Sequence, residues 1–261
     1  MLEVRDTGIT EIDDTFAVCS HASLENPLQR MGMELKRRWM EHMIEMYGSC
    51  TKVAYIDRRP VAQMLFYPED AAPFILNPRR GVVLLRCVYN PFPEARGKGA
   101  ATALIRSLEK DCSCKPRFLR EEECSFIATE AFNTGEGAPM AKLYAAAGFV
   151  ENGGEMVKLM RGEYVPSEKL NYVSSEEDRG RAVVLYNPTC EYSYVFALRT
   201  KERLSEIIPS MPVELVNQWE MPEESVKRAN MSLTVNGVPI SSLYRDAEVF
   251  DSEVRRALAR V

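Results

Sequence analysis

Residues 82–111 restrict the possible folds of this chain more than any other stretch. An apolar run, Val82 to Tyr89, leads into Arg96-Gly97-Lys98-Gly99-Ala100-Ala101 and then an amphipathic segment. Ala101, Leu104, Ile105 and Leu108 recur with the spacing of one helical face, so the pattern predicts a strand, a glycine-containing turn and a helix over 98–111. The first N–H groups of a helix have no intrahelical acceptor, and the helix dipole favours negative charge there. Glycines let the backbone come close to a phosphate. Gly97, Gly99, Ala100 and Ala101 are therefore candidate anion-binding residues through their backbone, with Arg96 and Lys98 adding charge. The spacing is neither a P-loop nor a dinucleotide GxGxxG. A plain strand-to-helix turn is the alternative reading.

Around this core the pattern predicts further elements. Residues 1–20 read as a short strand and turn, and 23–48 as helical with Pro27 near the start. Lys52 to Asp57 and Val61 to Tyr67 alternate around Arg58-Arg59-Pro60 as a hairpin. Ser125 to Phe132 reads as a strand, and Pro139 to Ala147 as a helix closed by Gly148. Phe149 to Met160 supplies one or two last strands.

The turn reads R-x-x-G-x-A, and Leu143-Tyr144-Ala145-Ala146-Ala147-Gly148-Phe149 follows downstream. Both motifs, in this order, resemble the pyrophosphate-binding turn and the L-Y-x-x-x-G-F signature of the GNAT N-acetyltransferases. The order of elements over about 1–162 resembles that fold too, a mixed β-sheet flanked by helices.

The resemblance implies an acyltransferase that uses acetyl-CoA as co-substrate, without a metal, and moves acetyl directly to an amine of a small molecule or peptide. It also implies roles for individual residues. Cys87, Val88 and Tyr89 lie where a free backbone N–H would polarise the thioester carbonyl. Tyr144 matches the general acid for the leaving thiolate; a thiol titrates near 8.5 and a tyrosine near 10, so the hydroxyl can protonate the sulfur. Asn133 lies where an asparagine bonds the pantetheine arm. The base is open between Glu130, the weaker candidates Glu69 and Asp70, and a water relay. His21 and His42 read as structural, and Cys87 as a small buried hydrophobe rather than a nucleophile.

Residues 163–181 are polar and read as a linker. A second pattern then runs β-α-β-α-β-β-α. It comprises strands at Ala182–Tyr186 and Val213–Val216, helices over 192–208 and 222–229, and a hairpin about Asn236-Gly237. Asp251 is read as capping a last helix to Val261. This order over 182–261 resembles a small thioredoxin-like domain, and Cys190-Glu191-Tyr192-Ser193 is similar to the C-P-Y-S active site of glutaredoxins. Glu191 stands in place of proline and no second cysteine follows. A monothiol role for Cys190, whose place beside a helix N-terminus favours a depressed thiol pKa, and a degenerate module both stay open. The tandem is similar to the YoaP-like acetyltransferases. The alternative function is a non-catalytic acyl-CoA sensor or partner-docking protein.

The net charge of −5 argues against non-specific nucleic-acid binding. No apolar run approaches a membrane span, and Met1-Leu2-Glu3-Val4-Arg5-Asp6 lacks a signal-peptide core. Seven irregularly spaced cysteines suit a reducing cytoplasm better than a disulfide framework. Asp111-Cys112-Ser113-Cys114 has no second thiol pair with which to build a tetrahedral metal site. Monomer and homodimer stay equally open.

Overall fold

The computed structural model describes residues 1–131 and 139–259. Its contacts divide the chain into two compact units, one of Met1–Leu24, Arg37–Ala72 and Asn77–Ser167, the other of Glu25–Lys36, Pro73–Leu76 and Glu168–Val261.

The first unit carries strands β1 (Leu2–Asp6), β2 (Thr51–Ile56), β3 (Arg59–Pro68), β4 (Val82–Tyr89), β5 (Phe126–Thr129), β6 (Val150–Asn152) and β7 (Glu155–Leu159). They form one mixed sheet in the order β1-β2-β3-β4-β5-β7-β6. The pair β4–β5 is parallel and the other neighbours are antiparallel. From Val61 onward β3 is buried on both faces, so consecutive residues Phe66 and Tyr67 sort the flanking helices. On the Phe66 side lies α3 (Ala100–Cys112): the Lys52 ammonium sits over the Phe66 ring and bonds Asp111 at 2.6 Å. The same face holds α4 (Met140–Ala146), because Lys158 donates both to Glu109 of α3 and to the carbonyl of Ala147, each at 2.6 Å. On the Tyr67 side, Trp39 of α2 (Pro27–Tyr47) meets the phenol ring edge-on at 5.8 Å.

Residues 1–20 depart from the expected strand and turn. Ile12–Cys19 is a helix, α1, with Ile12, Phe16 and Cys19 buried along one face. It runs little more than two turns and has no side-chain cap, so periodicity alone does not bring it out.

The second unit has its own sheet, β11-β10-β8-β9, built from β8 (Ala182–Tyr186), β9 (Val213–Asn217), β10 (Leu233–Val235) and β11 (Val238–Pro239). Strands β8 and β9 are parallel, and β10 is antiparallel to β8. Ala182, Val184 and Tyr186 join a core with Leu204 of α5 (Glu191–Ile207) and with Phe250 and Val254 of α6 (Ala247–Leu258), while Val183 and Leu185 pack with Val216 on the other face. A strand covered on both faces reads as continuously apolar, as Ala182–Tyr186 does. The helix expected from Asp251 starts a turn earlier, at Ala247; Asp251 lies inside it and takes the Arg203 guanidinium at 2.6 and 3.1 Å. A side chain of capping type can thus serve as an ion-pair partner in a helix interior.

The hairpin turn places Asn236 at φ 53° and Gly237 at φ 70°, both left-handed as a two-residue I′ turn requires. A Cβ on Gly237 would fall 2.3 Å from Ser174 Oγ. Gly237→Ala is therefore expected to cost about 1–2 kcal/mol in urea unfolding.

Candidate functional site

The site begins where β4 changes partners. Strand β4 pairs with β5 through Val82, Val83 and Leu84, opposite Phe126, Ile127 and Ala128. On its other edge Leu65 faces Cys87 but Phe66 faces Leu85, leaving Arg86 as an extra residue. Such a bulge bends its strand and sharpens the twist. Beyond it Cys87, Val88 and Tyr89 keep β3 on one side and, among the described residues, have no strand on the other. Peptide groups on that edge need partners from outside the sheet. The Cys87 sulfur accepts from Gln63 Nε2 at 3.5 Å and Val88 is buried.

The chain leaves β4 through a single turn at Pro93–Ala95 and reaches the glycine turn. Gly97 has φ 73° and Gly99, the N-cap of α3, φ 80°, a region other residues enter only with strain. A Cβ at either glycine would meet nothing within 4 Å, so the glycines serve backbone conformation and an open approach, not internal packing. Gly99 accepts from Ala103 N–H, whereas the N–H groups of Gly97, Lys98, Gly99, Ala100, Ala101 and Thr102 find no acceptor among the described residues. They line an exposed rim together with the Lys98 side chain. Ala100 is buried beneath it. The Arg96 guanidinium turns back on the preceding link, donating to the carbonyls of Pro91 at 3.2 Å and Asn90 at 3.5 Å.

Tyr144 comes to the same region on α4. It is fully buried, with its ring 5.5 Å from Phe149, and the N–H of Phe149 closes on its carbonyl beyond Gly148 at φ 85°. Its hydroxyl and that of neighbouring Thr129 are both buried and find no hydrogen-bond partner among the described residues. Burial pushes the phenol up to about 12; the Thr129 hydroxyl beside it and the Arg86 guanidinium pull the other way, and Cys87 adds to the rise. The phenol therefore stays protonated at neutral pH. An unfolded tyrosine titrates near 10, so stability tied to the neutral phenol is fully present below about pH 10 and is lost as pH rises through about 12. The melting temperature is expected to fall more across that window in the wild type than in Tyr144→Phe.

Glu130 follows β5 and is exposed. Its charge reaches both Tyr67 and Arg86. Glu69 and Asp70 stand differently. Glu69 is buried against Arg79, which donates to it at 2.8 Å and to Glu155 at 2.7 and 3.0 Å. Burial nonetheless leaves the Glu69 carboxyl raised. Asn133 lies outside the described residues.

Cys190 belongs to the second unit, at the N-cap of α5. The residue is exposed. Burial is the main cause that pushes the thiol up, and the adjacent Glu191 carboxylate adds to it. The Lys36 ammonium and the N–H groups of Tyr192 and Ser193 oppose this without overcoming it. Lys36 is itself tied to Glu191 at 2.9 Å, both fully buried. The expected depression by the helix N-terminus is thus outweighed by burial and by the carboxylate.

The pattern reading passed over Arg86, Tyr67 and Thr129. A lone arginine inside an otherwise apolar strand was the available signal for the first. Among the described residues no group of His, Cys, Asp or Glu side chains is arranged to hold a metal ion, and no helix is long and apolar enough to cross a membrane.

No protein-family model matches the chain, and no curated protein matches it in sequence. Among solved structures, similarity is found to a GNAT family acetyltransferase from Brucella melitensis in complex with acetyl-CoA (15% identity, 64% of this chain and 94% of that one, TM-score 0.42). Ard1 from Thermoplasma volcanium is similar at 11% identity, over 62% of this chain and 99% of its own, with TM-score 0.42. The PaiA N-acetyltransferase from Thermoplasma acidophilum, in complex with coenzyme A, is similar at 13% identity, over 60% and 96%, with TM-score 0.40.

Proposed function

We propose that the chain is an acetyl-CoA-dependent N-acetyltransferase of GNAT type. The observation that carries this reading is the coincidence of three things in the first unit. Strand β4 parts from β5 beyond Leu84, just ahead of the bulge at Arg86, the helix that follows β4 opens on a rim of N–H groups with no acceptor among the described residues, and a buried phenol with no hydrogen-bond partner among them stands at the parting. The fit to coenzyme A rests on that rim and on the open space over Gly97 and Gly99.

Acetyl-CoA supplies the activated acetyl group. The N–H groups from Gly97 to Thr102 hold the diphosphate, with Lys98 adding charge while Arg96 braces the link. An N–H on the open edge of Cys87, Val88 and Tyr89 polarises the carbonyl. Tyr144 gives its proton to the sulfur as the C–S bond breaks, and Glu130, directly or through water, takes the proton of the amine as the N–C bond forms. Residues 1–162, apart from 25–36 and 73–76 which join the second unit, form the catalytic domain, and 182–261 a thioredoxin-like module to whose unit most of the polar stretch 163–181 also belongs. The last assignment is supported by the sheet order β11-β10-β8-β9 with β8 and β9 parallel. The raised thiol of Cys190 counts against monothiol redox chemistry in that module. We place the protein in the cytoplasm, acting on a small-molecule amine or peptide.

The test incubates the full chain with acetyl-CoA and a broad panel of amines and follows release of free thiol. Thiol release that depends on an amine supports the reading. Tight acetyl-CoA binding with no transfer to any amine would replace it with the acyl-CoA sensor.

A further inference from the structure

Arg86 has no assigned role in the transfer step, and its setting is unusual. It is the inserted residue of the β4 bulge, so its side chain departs from the alternation that would bury or expose it as its neighbours are. Arg86 is exposed at the surface, yet protein groups crowd around it: Tyr67 on β3, Glu130 after β5, Glu155 on β7 and Cys87 beside it all lie within reach of its charge. Leu84 pairs with Ala128, so Arg86 and Glu130, each two residues further on, border one recess where the two strands part. That recess opens on the Tyr67 face of the sheet, the face that Trp39 covers, whereas α3 and α4 occupy the other. Tyr144 approaches the parting of β4 and β5 from the α4 side and also feels the Arg86 charge. Arg86 directly precedes the edge of Cys87, Val88 and Tyr89 that β5 leaves, so it borders the place proposed above for the thioester.

The charges in the recess do not cancel internally. Glu155 is held by Arg79, which donates to both its oxygens, and Glu69 is held by the same guanidinium. Arg86 makes no hydrogen bond or ion pair among the described residues. Glu130 is near enough to influence it but closes no ion pair with it. A guanidinium in a confined recess gains most from a planar two-oxygen anion, which it can bind in fork geometry. An amine entering the same recess finds the Glu130 carboxylate.

We infer that the acceptor is a small amine that carries its own carboxylate, of the amino-acid class, with Arg86 binding the carboxylate while Glu130 faces the amine. This rests on the acetyltransferase reading above. It distinguishes free amino acids from peptide N-termini and simple alkylamines, which bring no carboxylate into the recess.

The experiment compares matched sets: amino acids, their carboxamides, the corresponding decarboxylated amines, and aminoalkyl phosphates. Acetyl transfer is followed with each, and binding of each to the full chain is read by calorimetry with and without coenzyme A. The expected result is that amino acids are preferred over their carboxamides in kcat/KM by about thirtyfold or more. In Arg86→Gln that preference should vanish through a higher KM for the amino acid. KM for the carboxamide and affinity for acetyl-CoA should stay unchanged, and Arg86→Lys should recover part of the preference. Equal use of carboxamides by the wild type, a preference that survives in Arg86→Gln, or better use of aminoalkyl phosphates would each overturn the inference while leaving acetyl transfer intact. If acetyl-CoA fails to bind, the functional reading falls. The calorimetric arm still decides Arg86, since amino acids must then bind better than carboxamides, and failure to do so sinks the inference too.

Discussion

Gly99→Asp is expected to lower acetyl-CoA affinity at least about a hundredfold while leaving the melting temperature within a few degrees of the wild type. Two effects act together. Gly99 sits at φ 80°, where a side chain strains the backbone by about 1–2 kcal/mol. The new carboxylate also lies among the N–H groups of Gly97 to Thr102, which have no acceptor among the described residues, so it competes with a bound phosphate for the same donors and repels it. Because a Cβ at Gly99 meets nothing within 4 Å, the substitution creates no clash in the protein, and the loss should show in binding far more than in stability. Gly99→Ala separates the two effects: it keeps the backbone strain without the charge and should lose only about tenfold. Calorimetric titration of the three proteins checks both values; equal affinity in Gly99→Asp and wild type would mean that the turn does not hold the diphosphate.

Tyr144→Phe should reduce kcat about a hundredfold or more, the usual scale for losing a positioned acid, with affinity for acetyl-CoA unchanged. The stability effect has the opposite character. The hydroxyl of Tyr144 is buried with no hydrogen-bond partner among the described residues; an unpaired buried polar group costs about 1–3 kcal/mol, so deleting it should leave the melting temperature equal or higher. A catalytic role predicts this split, activity lost and stability kept; a tyrosine without a catalytic role predicts both kept. Steady-state rates and thermal unfolding of the same preparation decide between them, and unchanged turnover removes Tyr144 as the acid.

The sequence was most legible where one local cause governs one local structure. The run Val82 to Tyr89, the glycines and the face of Ala101, Leu104, Ile105 and Leu108 act within a few residues of each other, and β4, the turn and α3 follow from them. The hairpin at Asn236-Gly237 is legible for the same reason. Position mattered more than identity at the failures. Ile12, Phe16 and Cys19 make a helix too short to announce itself, and Asp251, a good capping residue, is taken up by Arg203. The bulge at Arg86 depends on how β3 pairs with β4, which no pattern within β4 records. Membership of residues 25–36 and 73–76 in the second unit is likewise a tertiary fact. The raised thiol of Cys190 shows the same limit: its helix N-terminus is local, while the burial that outweighs it is not.

The measurement that bears most directly on the account is calorimetric titration of the full-length protein with acetyl-CoA, with dephospho-coenzyme A and acetate as controls. The account predicts saturable binding of acetyl-CoA with a Kd on the order of micromolar, weaker binding as salt screens the phosphates, and no heat from acetate. Absence of binding to acetyl-CoA and to its dephospho form would contradict it and leave the parted strands, the open N–H rim and the buried phenol without a common purpose.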